Sequence, residues 1–452
     1  MHHQRKGVRW YHWYAATDSP EDRKLLLKLD LLLLPYAFAM FWMYYVDATN
    51  ISNAWVSGLA TDLDLHGDEL VQLTSLSQGA SIIGTVPFAY LFTRVPMHYL
   101  VPGLQVGWGV FTLLQFRGNS YGAFLAFRFF VGLFEGPFYV AVQYVLGSWY
   151  RPDEFGRRGA LFWCGLPLGG LTAGLIQSAT SDNIHNVGGL AGWRWMFIVV
   201  GTMSIAIGII GFFLWPGTPD LPNRLVVNDA EITAARTRLE KIGFGRDNDL
   251  TPTFSWKLFK YTFGRPIIYL VVIWQVIFWN ADAQNWSGYI LWLNSLGRYT
   301  TGEVNRLSMT APALSIIYAF LIPFASDLWL GRTAAILIAN AFNIMAMTIL
   351  VIWDVPESAK WFAFNLQYCV IILASVIYGW ANDLTRYNKQ ERALILCIMQ
   401  IVPSSVRAWI GLLVFRTEEA PRFRKGWAFV LANSVLFVGW TFVVRWFWIR
   451  QE

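Results

Sequence analysis

The sequence predicts an all-α integral membrane protein, with twelve transmembrane helices in two six-helix bundles related by pseudo-two-fold symmetry. Three observations predict it. Of the 452 residues, 55% are hydrophobic and only 14% charged, with a mean hydropathy of +0.40, whereas soluble domains carry about 25% charged residues. The apolar residues fall into runs of spanning length, since about 20 are needed to cross roughly 30 Å of hydrocarbon. The two halves of the chain also match one another at an offset near 235 residues, which is the sign of a duplicated bundle. The 24 Trp and 19 Tyr fit a bilayer as well, because amphipathic rings collect where headgroups meet acyl chains.

In chain order, a tail comes first, 1–27, basic and polar for too long to be the leading part of a signal peptide, so the first span is expected to stay in the mature protein. The first bundle, 28–215, holds spans at about 28–53, 70–92, 100–116, 121–149, 159–178 and 193–214. A linker, 216–265, separates it from the second bundle, 266–448, with spans at about 266–292, 307–324, 333–353, 361–380, 392–415 and 427–448, and residues 449–452 follow. Twelve spans put both termini on one side. With the termini cytoplasmic, 24 of the 35 Lys and Arg fall on that side, nine on the other and two, Arg128 and Arg407, within spans, as the positive-inside rule requires. The exception is the basic segment from Arg416 to Lys425, assigned outside; the first external loop, by contrast, carries Asp62, Asp64, Asp68 and Glu69 with no Lys or Arg. In the linker, Asn228 precedes Glu231 by three residues, and Ile232, Ala235, Leu239 and Ile242 recur at helical spacing before Gly243. This predicts a capped amphipathic helix that packs on the bundle or on the membrane surface.

The repeat locates the axis of the molecule. Asp47-Ala48-Thr49-Asn50 in the first span matches Asp282-Ala283-Gln284-Asn285 in the seventh at an offset of 235. The loops after the fourth and tenth spans agree too: Arg151, Glu154, Arg158, Ala160 and Leu161 resemble Arg386, Glu391, Arg392, Ala393 and Leu394. Two parallel copies imply a functional site between them at mid-depth.

Ionisable groups inside spans cost several kcal/mol unless they pair or face water, so each is a functional candidate. Arg128 and Glu135 lie seven residues apart in the fourth span, on one helical face about 10 Å from each other, and are expected to line one cavity. Glu135, at mid-depth, is the expected proton acceptor, with Asp47 beside it in role. Arg128 cannot lose its proton; it either anchors a substrate carboxylate or holds Glu135 or Asp47 in a structural ion pair. Asp47 and Asp282, each near an Asn (Asn50 and Asn285), are suited to bind a substrate amide or hydroxyl or to form an external gate, with helix capping the alternative for Asp282. Arg407, with Gln400 below it, reaches either the cavity or, by snorkelling, the headgroups, and its outer position favours snorkelling. Small residues at four-residue spacing in the fifth span, Gly165, Gly169 and Ala173 with Gly170 and Gly174, predict close helix packing.

Several classes are excluded by what the sequence lacks. There is no GxxxxGK[ST] loop for a nucleotide-driven pump. All six His lie in the tail or loops, and Cys164, Cys369 and Cys397 show no paired spacing, so no metal, disulfide or cofactor is expected. No basic stretch is interleaved with stacking aromatics, so nucleic acid is not an expected partner despite a net charge of +6. No catalytic constellation is present, and an enzyme is not expected.

The pattern resembles the major facilitator superfamily, and within it the fungal anion:cation symporters that include allantoate, nicotinate, biotin and pantothenate permeases. The resemblance rests on Tyr45-Val46-Asp47-Ala48-Thr49-Asn50, on Arg128-Phe129-Phe130-Val131-Gly132-Leu133-Phe134-Glu135, and on Gly192-Trp193-Arg194-Trp195-Met196-Phe197. Asp327-Leu328-Trp329-Leu330-Gly331-Arg332 is similar to the superfamily's conformational-switch loop, with a degenerate first copy at Thr93-Arg94-Val95-Pro96. Leu291-Trp292-Leu293-Asn294, Trp380-Ala381-Asn382-Asp383 and Ala420-Pro421-Arg422-Phe423 look most like the vitamin permeases. Two positions depart from the branch: Ala48 stands where an Arg is usual, and Arg407 where a neutral residue is. The resemblance implies proton-coupled uptake of a small organic anion by a monomer in the plasma membrane, through alternating access. A drug-type antiporter and a non-transporting nutrient sensor are the other readings.

Overall fold

The structure is a computed structural model, and it describes Tyr14 and residues 19–92, 94–150, 158, 162–240, 256–326, 330–385 and 389–451. Among the described residues the regular structure is helical, apart from one isolated bridge between Gly217 and Pro222. For each expected span the described residues hold a helix or a pair of half-helices; the start of the fifth, 159–161, lies outside the described residues. The first bundle contains Pro20–Ala54, Glu69–Leu91, Met97–Leu114, Tyr121–Glu135 with Phe138–Trp149, Gly165–Asn183 and Gly192–Leu214. The second contains Pro266–Ala281 with Gly288–Ser295, Thr301–Ser308 with Thr310–Ala325, Gly331–Ile352, Glu357–Asn365 with Ala374–Leu384, Lys389–Val414 and Arg424–Gln451. Among the described residues six spans are long and apolar enough to cross a bilayer, among them Gly192–Leu214 and Gly331–Ile352; several of the others are broken, which shortens their continuous runs.

Local chemistry explains where the helices begin and break. The first starts at Pro20, eight residues before its apolar run, because Ser19 accepts a hydrogen bond from the Asp22 N–H while the Asp22 side chain accepts one from the Ser19 N–H, both at 3.1 Å. Thr300 and Glu303 form the same reciprocal cap and start the eighth span earlier than its apolar residues do. The fourth span breaks after Glu135 at Gly136-Pro137, since proline has no N–H to donate. The seventh, expected to be continuous, is interrupted from Asp282 to Ser287, where Ser287 takes a left-handed φ of 56°.

In the linker, the helix Asp229–Glu240 carries the expected cap, with Asn228 and Glu231 exchanging two hydrogen bonds of 2.9 Å. Its buried residues Ile232, Ala235 and Arg238 turn toward the start of the first span, where Lys28 bonds Glu231 at 2.8 Å and Arg238 lies 3.9 Å from Asp22. Burial alone would raise the Glu231 carboxyl, but the hydrogen bonds from Lys28 and the Asn228 N–H outweigh it and hold it below its ordinary value.

Within the first bundle the second and fourth spans meet backbone to backbone. A Cβ on Gly132 would overlap the Ser77 carbonyl, one on Gly136 the Ser81 carbonyl, and one on Gly84 the Leu133 carbonyl. None of the three partners is a side chain that can rotate away, so Gly132→Val is expected to remove most of the monodisperse protein from a size-exclusion profile. Gly103→Val is the control, because nothing lies within 4 Å of its Cβ position and it should leave the profile unchanged.

The bundles meet at the end of the molecule opposite the termini, and the contacts obey the repeat. Ser52 and Ser287, themselves 235 residues apart, share a hydrogen bond of 2.6 Å and therefore mark the two-fold axis. On either side of it, Asp68 pairs with Arg416 and Asp182 with Arg306, each at 2.7 Å. These two ion pairs are symmetry-related, with both carboxylates supplied by the first bundle and both arginines by the second. The basic segment from Arg416 to Lys425, the exception to the expected charge bias, thus faces the acidic loop between the first two spans.

Candidate functional site

Below that junction lies a cavity of about 90 Å³ on the axis. Tyr45, Thr49, Ser52 and Asn53 of the first span face Gln284, Ser287 and Tyr289 of the seventh, with Gly170, Pro312, Gln367 and Tyr368 closing the sides. The walls are neutral, rich in hydroxyl and amide groups that give and accept hydrogen bonds. Position along the first span follows from the repeat, because Ser52 and Ser287 are one helical turn or so beyond Asp47 and Asp282.

Two charged clusters flank the cavity, one in each bundle. In the first, Asp47, Arg128 and Glu135 are 1%, 3% and 7% exposed. Arg128 Nη1 stands 3.9 Å from Asp47 Oδ2, and the Thr112 hydroxyl donates to Asp47 Oδ1 at 3.1 Å. That ion pair is long beside the roughly 2.7–2.9 Å of a charge-assisted hydrogen bond, and Arg128 Nη1 and Nε, Asp47 Oδ2 and Glu135 Oε1 make no hydrogen bond. Glu135 lies within electrostatic reach of both Asp47 and Arg128. Asn50, also buried, sits one turn beyond Asp47.

In the second bundle, Arg407 Nη1 lies 3.5 Å from Asp282 Oδ2, both groups buried. The guanidinium stacks over Trp279 and Trp286, 5.2 and 5.3 Å from their ring centres. Asp282 Oδ1 accepts the Gln284 N–H at 3.4 Å, and Trp286 Nε1 donates to the Asp282 carbonyl at 3.2 Å. Tyr44 of the first span is within electrostatic reach of Glu135, Asp47 and Arg407.

Several expectations are corrected by this geometry. Arg407 turns inward instead of snorkelling: Asp282 and the two indoles surround its guanidinium in the interior. Arg128 and Glu135 are brought together with Asp47 inside the first bundle, and neither these three nor Asn50, Asp282 and Arg407 line the described cavity. Gln400 accepts from the Tyr378 hydroxyl at 2.6 Å and is likewise away from the cavity wall. Asn285 belongs to the short turn Gln284–Trp286. The groups that the sequence reading missed are neutral: Tyr45, Gln284, Gln367 and Tyr368 carry no charge to mark them. Ser52 and Ser287 were discoverable, since they repeat the 235-residue offset of the two aspartates.

Of the switch-loop residues, Arg158 makes two bonds to Asp30, at 2.6 and 2.8 Å, and stacks on Tyr150. Glu391 pairs with Arg265 at 2.8 Å. Asp30 and Arg265 are 235 residues apart, so the two copies keep one ion pair with its signs exchanged; Glu391, not Arg392, takes the place of Arg158. Arg94 is in the turn after the second span, Arg332 opens the ninth and Arg392 lies in the eleventh. Arg151, Glu154, Asp327 and Arg386 lie outside the described residues.

Two six-helix bundles about an axis, with a polar cavity on that axis and buried charges beside it, define a secondary membrane transporter. The chain belongs to the Major Facilitator Superfamily, whose family profile matches residues 37–440. It is 35% identical over 99% of its length to the vitamin H transporter of Saccharomyces cerevisiae, covering 77% of that protein. It is 27% identical to the pantothenate transporter liz1 of Schizosaccharomyces pombe, over 97% of this chain and 86% of that one. Among solved structures it is similar in fold to a D-xylose–proton symporter, with a TM-score of 0.67 at 13% identity over 93% of this chain and 97% of the other. The protein is a transporter and not an enzyme.

Proposed function

We propose that the protein imports a small organic monoanion, biotin ahead of pantothenate, together with protons across the plasma membrane, as a monomer with both termini in the cytoplasm. The cycle is alternating access: the bundles rock about the axis marked by Ser52 and Ser287 and open the cavity to one side at a time. The observation that carries the proton coupling is Glu135, a buried carboxyl with an unbonded oxygen beside an Asp47–Arg128 pair. With Asp47 and Arg128 offsetting one another, this cluster carries one negative charge when Glu135 is ionised and none when it is protonated, so a proton there relieves the repulsion met by an incoming anion. The vitamin assignment is supported by the names of the relatives and by the neutral hydrogen-bonding walls, which suit the ureido or amide portion of either vitamin. A monoanion moving inward against about 100 mV loses roughly 2.3 kcal/mol per net charge, so more than one proton must accompany it before the potential helps.

The test is uptake of labelled biotin and pantothenate into cells lacking their own permeases, at external pH 5 and 7. Saturable uptake of biotin that strengthens at pH 5 is expected. No uptake of either vitamin by protein present at the cell surface would sink the substrate assignment. In the same cells Arg416→Gln should change uptake by less than about fivefold, because a half-exposed ion pair contributes about 0–1 kcal/mol. A complete loss would mean that the Asp68–Arg416 contact carries far more of the closure than its exposure allows.

A further inference from the structure

The two buried arginines are not equivalent, although the aspartates they pair with are. Asp47 and Asp282 are related by the repeat, yet Arg128 comes from the fourth span and Arg407 from the eleventh, which are not repeat partners. Arg128 already has two carboxylates within reach, Asp47 and Glu135, and Asp47 lies within the unbroken helix Pro20–Ala54, about two turns before its end. The ion pair of Arg407 is with Asp282, which sits where the α-helix is interrupted: it caps Pro266–Ala281 and begins the connection, with a single 3-10 turn at Gln284–Trp286, that ends at Ser287. A carboxylate there moves with a few backbone rotations, whereas Asp47 moves only with its whole helix.

The Asp282–Arg407 pair also adjoins the cavity. Gln284, whose N–H bonds Asp282 Oδ1, lines it. So do Tyr45 and Tyr368, both within electrostatic reach of Asp282, with Tyr45 in reach of Arg407 as well. Trp279 and Trp286 cover the guanidinium face, which leaves its edge as the part that meets carboxylates. Resting on the reading of the substrate as a carboxylic acid, we propose that Asp282 is a built-in stand-in for the substrate carboxylate: the incoming anion displaces it and takes its place on Arg407. Arg407 is then the group that distinguishes an acid from its uncharged derivatives, and Asp282 is a competitor that weakens binding and assists release.

The experiment is displacement of labelled biotin from the purified full chain by unlabelled biotin and by biotin methyl ester. In the wild type the acid should displace far better than the ester. Removing both charges in Asp282→Asn/Arg407→Gln avoids stranding either one in the interior, and should lower the acid-to-ester preference about tenfold or more. Asp282→Asn with Arg407 intact should tighten biotin several-fold and leave the ester unchanged, and Arg407→Lys, which keeps the charge without the fork, should fall between wild type and the double variant. An unaltered preference in the double variant would overturn the proposal, as would Asp282→Asn weakening biotin as much as the double variant does. Wild-type protein that binds neither biotin nor pantothenate would instead remove the vitamin reading, and this inference with it.

Discussion

Glu135→Gln is expected to lose concentrative uptake at pH 5 by at least about tenfold while still exchanging internal for external substrate. Glutamine keeps the shape and polarity of a protonated glutamic acid but cannot give the proton up. Glu135 is 7% exposed at the break between Tyr121–Glu135 and Phe138–Trp149, with Oε1 unbonded and Asp47 and Arg128 in reach. In the ionised state it adds a negative charge to a cavity flank that has no cation to spare, since Arg128 faces Asp47 at 3.9 Å. The variant is held permanently in the neutral arrangement, so it accepts the anion at either pH. What it cannot do is couple the return of the empty carrier to loss of the proton, so the gradient no longer drives accumulation. The sign with pH follows: wild-type uptake rises as pH falls from 7 to 5, and the variant's is flat over the same interval. Uptake into cells and counterflow in preloaded vesicles separate the two activities. Accumulation that keeps its pH dependence in Glu135→Gln would show that the proton is carried elsewhere.

The fold was legible because hydrocarbon imposes length and because the chain repeats itself. A run from 331 to 352 has few ways to avoid being a spanning helix, and the Asn228–Glu231 cap forms as its spacing requires. The repeat was legible at Asp47 and Asp282, and the Ser52–Ser287 bond shows the same offset as a physical contact. The break from Asp282 to Ser287 was only half legible: Asn280 to Gly288 is polar for a span, but its repeat partner, Asp47 to Asn50, stays helical, and the left-handed backbone falls on a serine, not a glycine. The direction of Arg407 was not legible. A lone arginine near the end of an apolar run reads the same whether it faces headgroups or a buried aspartate, and only the rotation of the eleventh span against the seventh decides. The external ion pairs were half visible: an acidic loop and a misplaced basic one were evident, but their pairing across 348 positions belongs to the tertiary structure.

Closure of the external junction depends more on a glycine than on these charges, and Gly174→Leu should show it by trapping the carrier open to the outside. The fifth span has two small-residue faces. Gly165 and Gly169 pack on Phe41, Trp42 and Tyr45 of the first span, within the same bundle, whereas Gly170 and Gly174 face Pro312, Asn305 and Met309 of the eighth, in the other. A Cβ on Gly174 would stand 2.5 Å from Met309 Cγ and 3.0 Å from the Asn305 carbonyl oxygen, so a leucine cannot fit while the bundles are together. The overlap exists only in the closed junction, since separating the fifth and eighth spans relieves it without unfolding either bundle. The two flanking ion pairs together offer at most about 2 kcal/mol at their exposure, and overpacking costs about 1–3 kcal/mol or more, so the leucine cancels or exceeds what the charges contribute to closure. With the proposed orientation, substrate still binds from outside and transport falls to background. A cysteine placed at Ser52, beneath the junction, should react with a membrane-impermeant maleimide much faster in Gly174→Leu than in Gly174. Gly169→Leu is the contrast: its Cβ meets Tyr45 within one bundle at 2.5 Å, no rocking motion relieves that, and the protein should fail to reach the surface. Slow labelling of Ser52→Cys in well-folded Gly174→Leu would mean that the fifth and eighth spans do not part when the carrier opens outward.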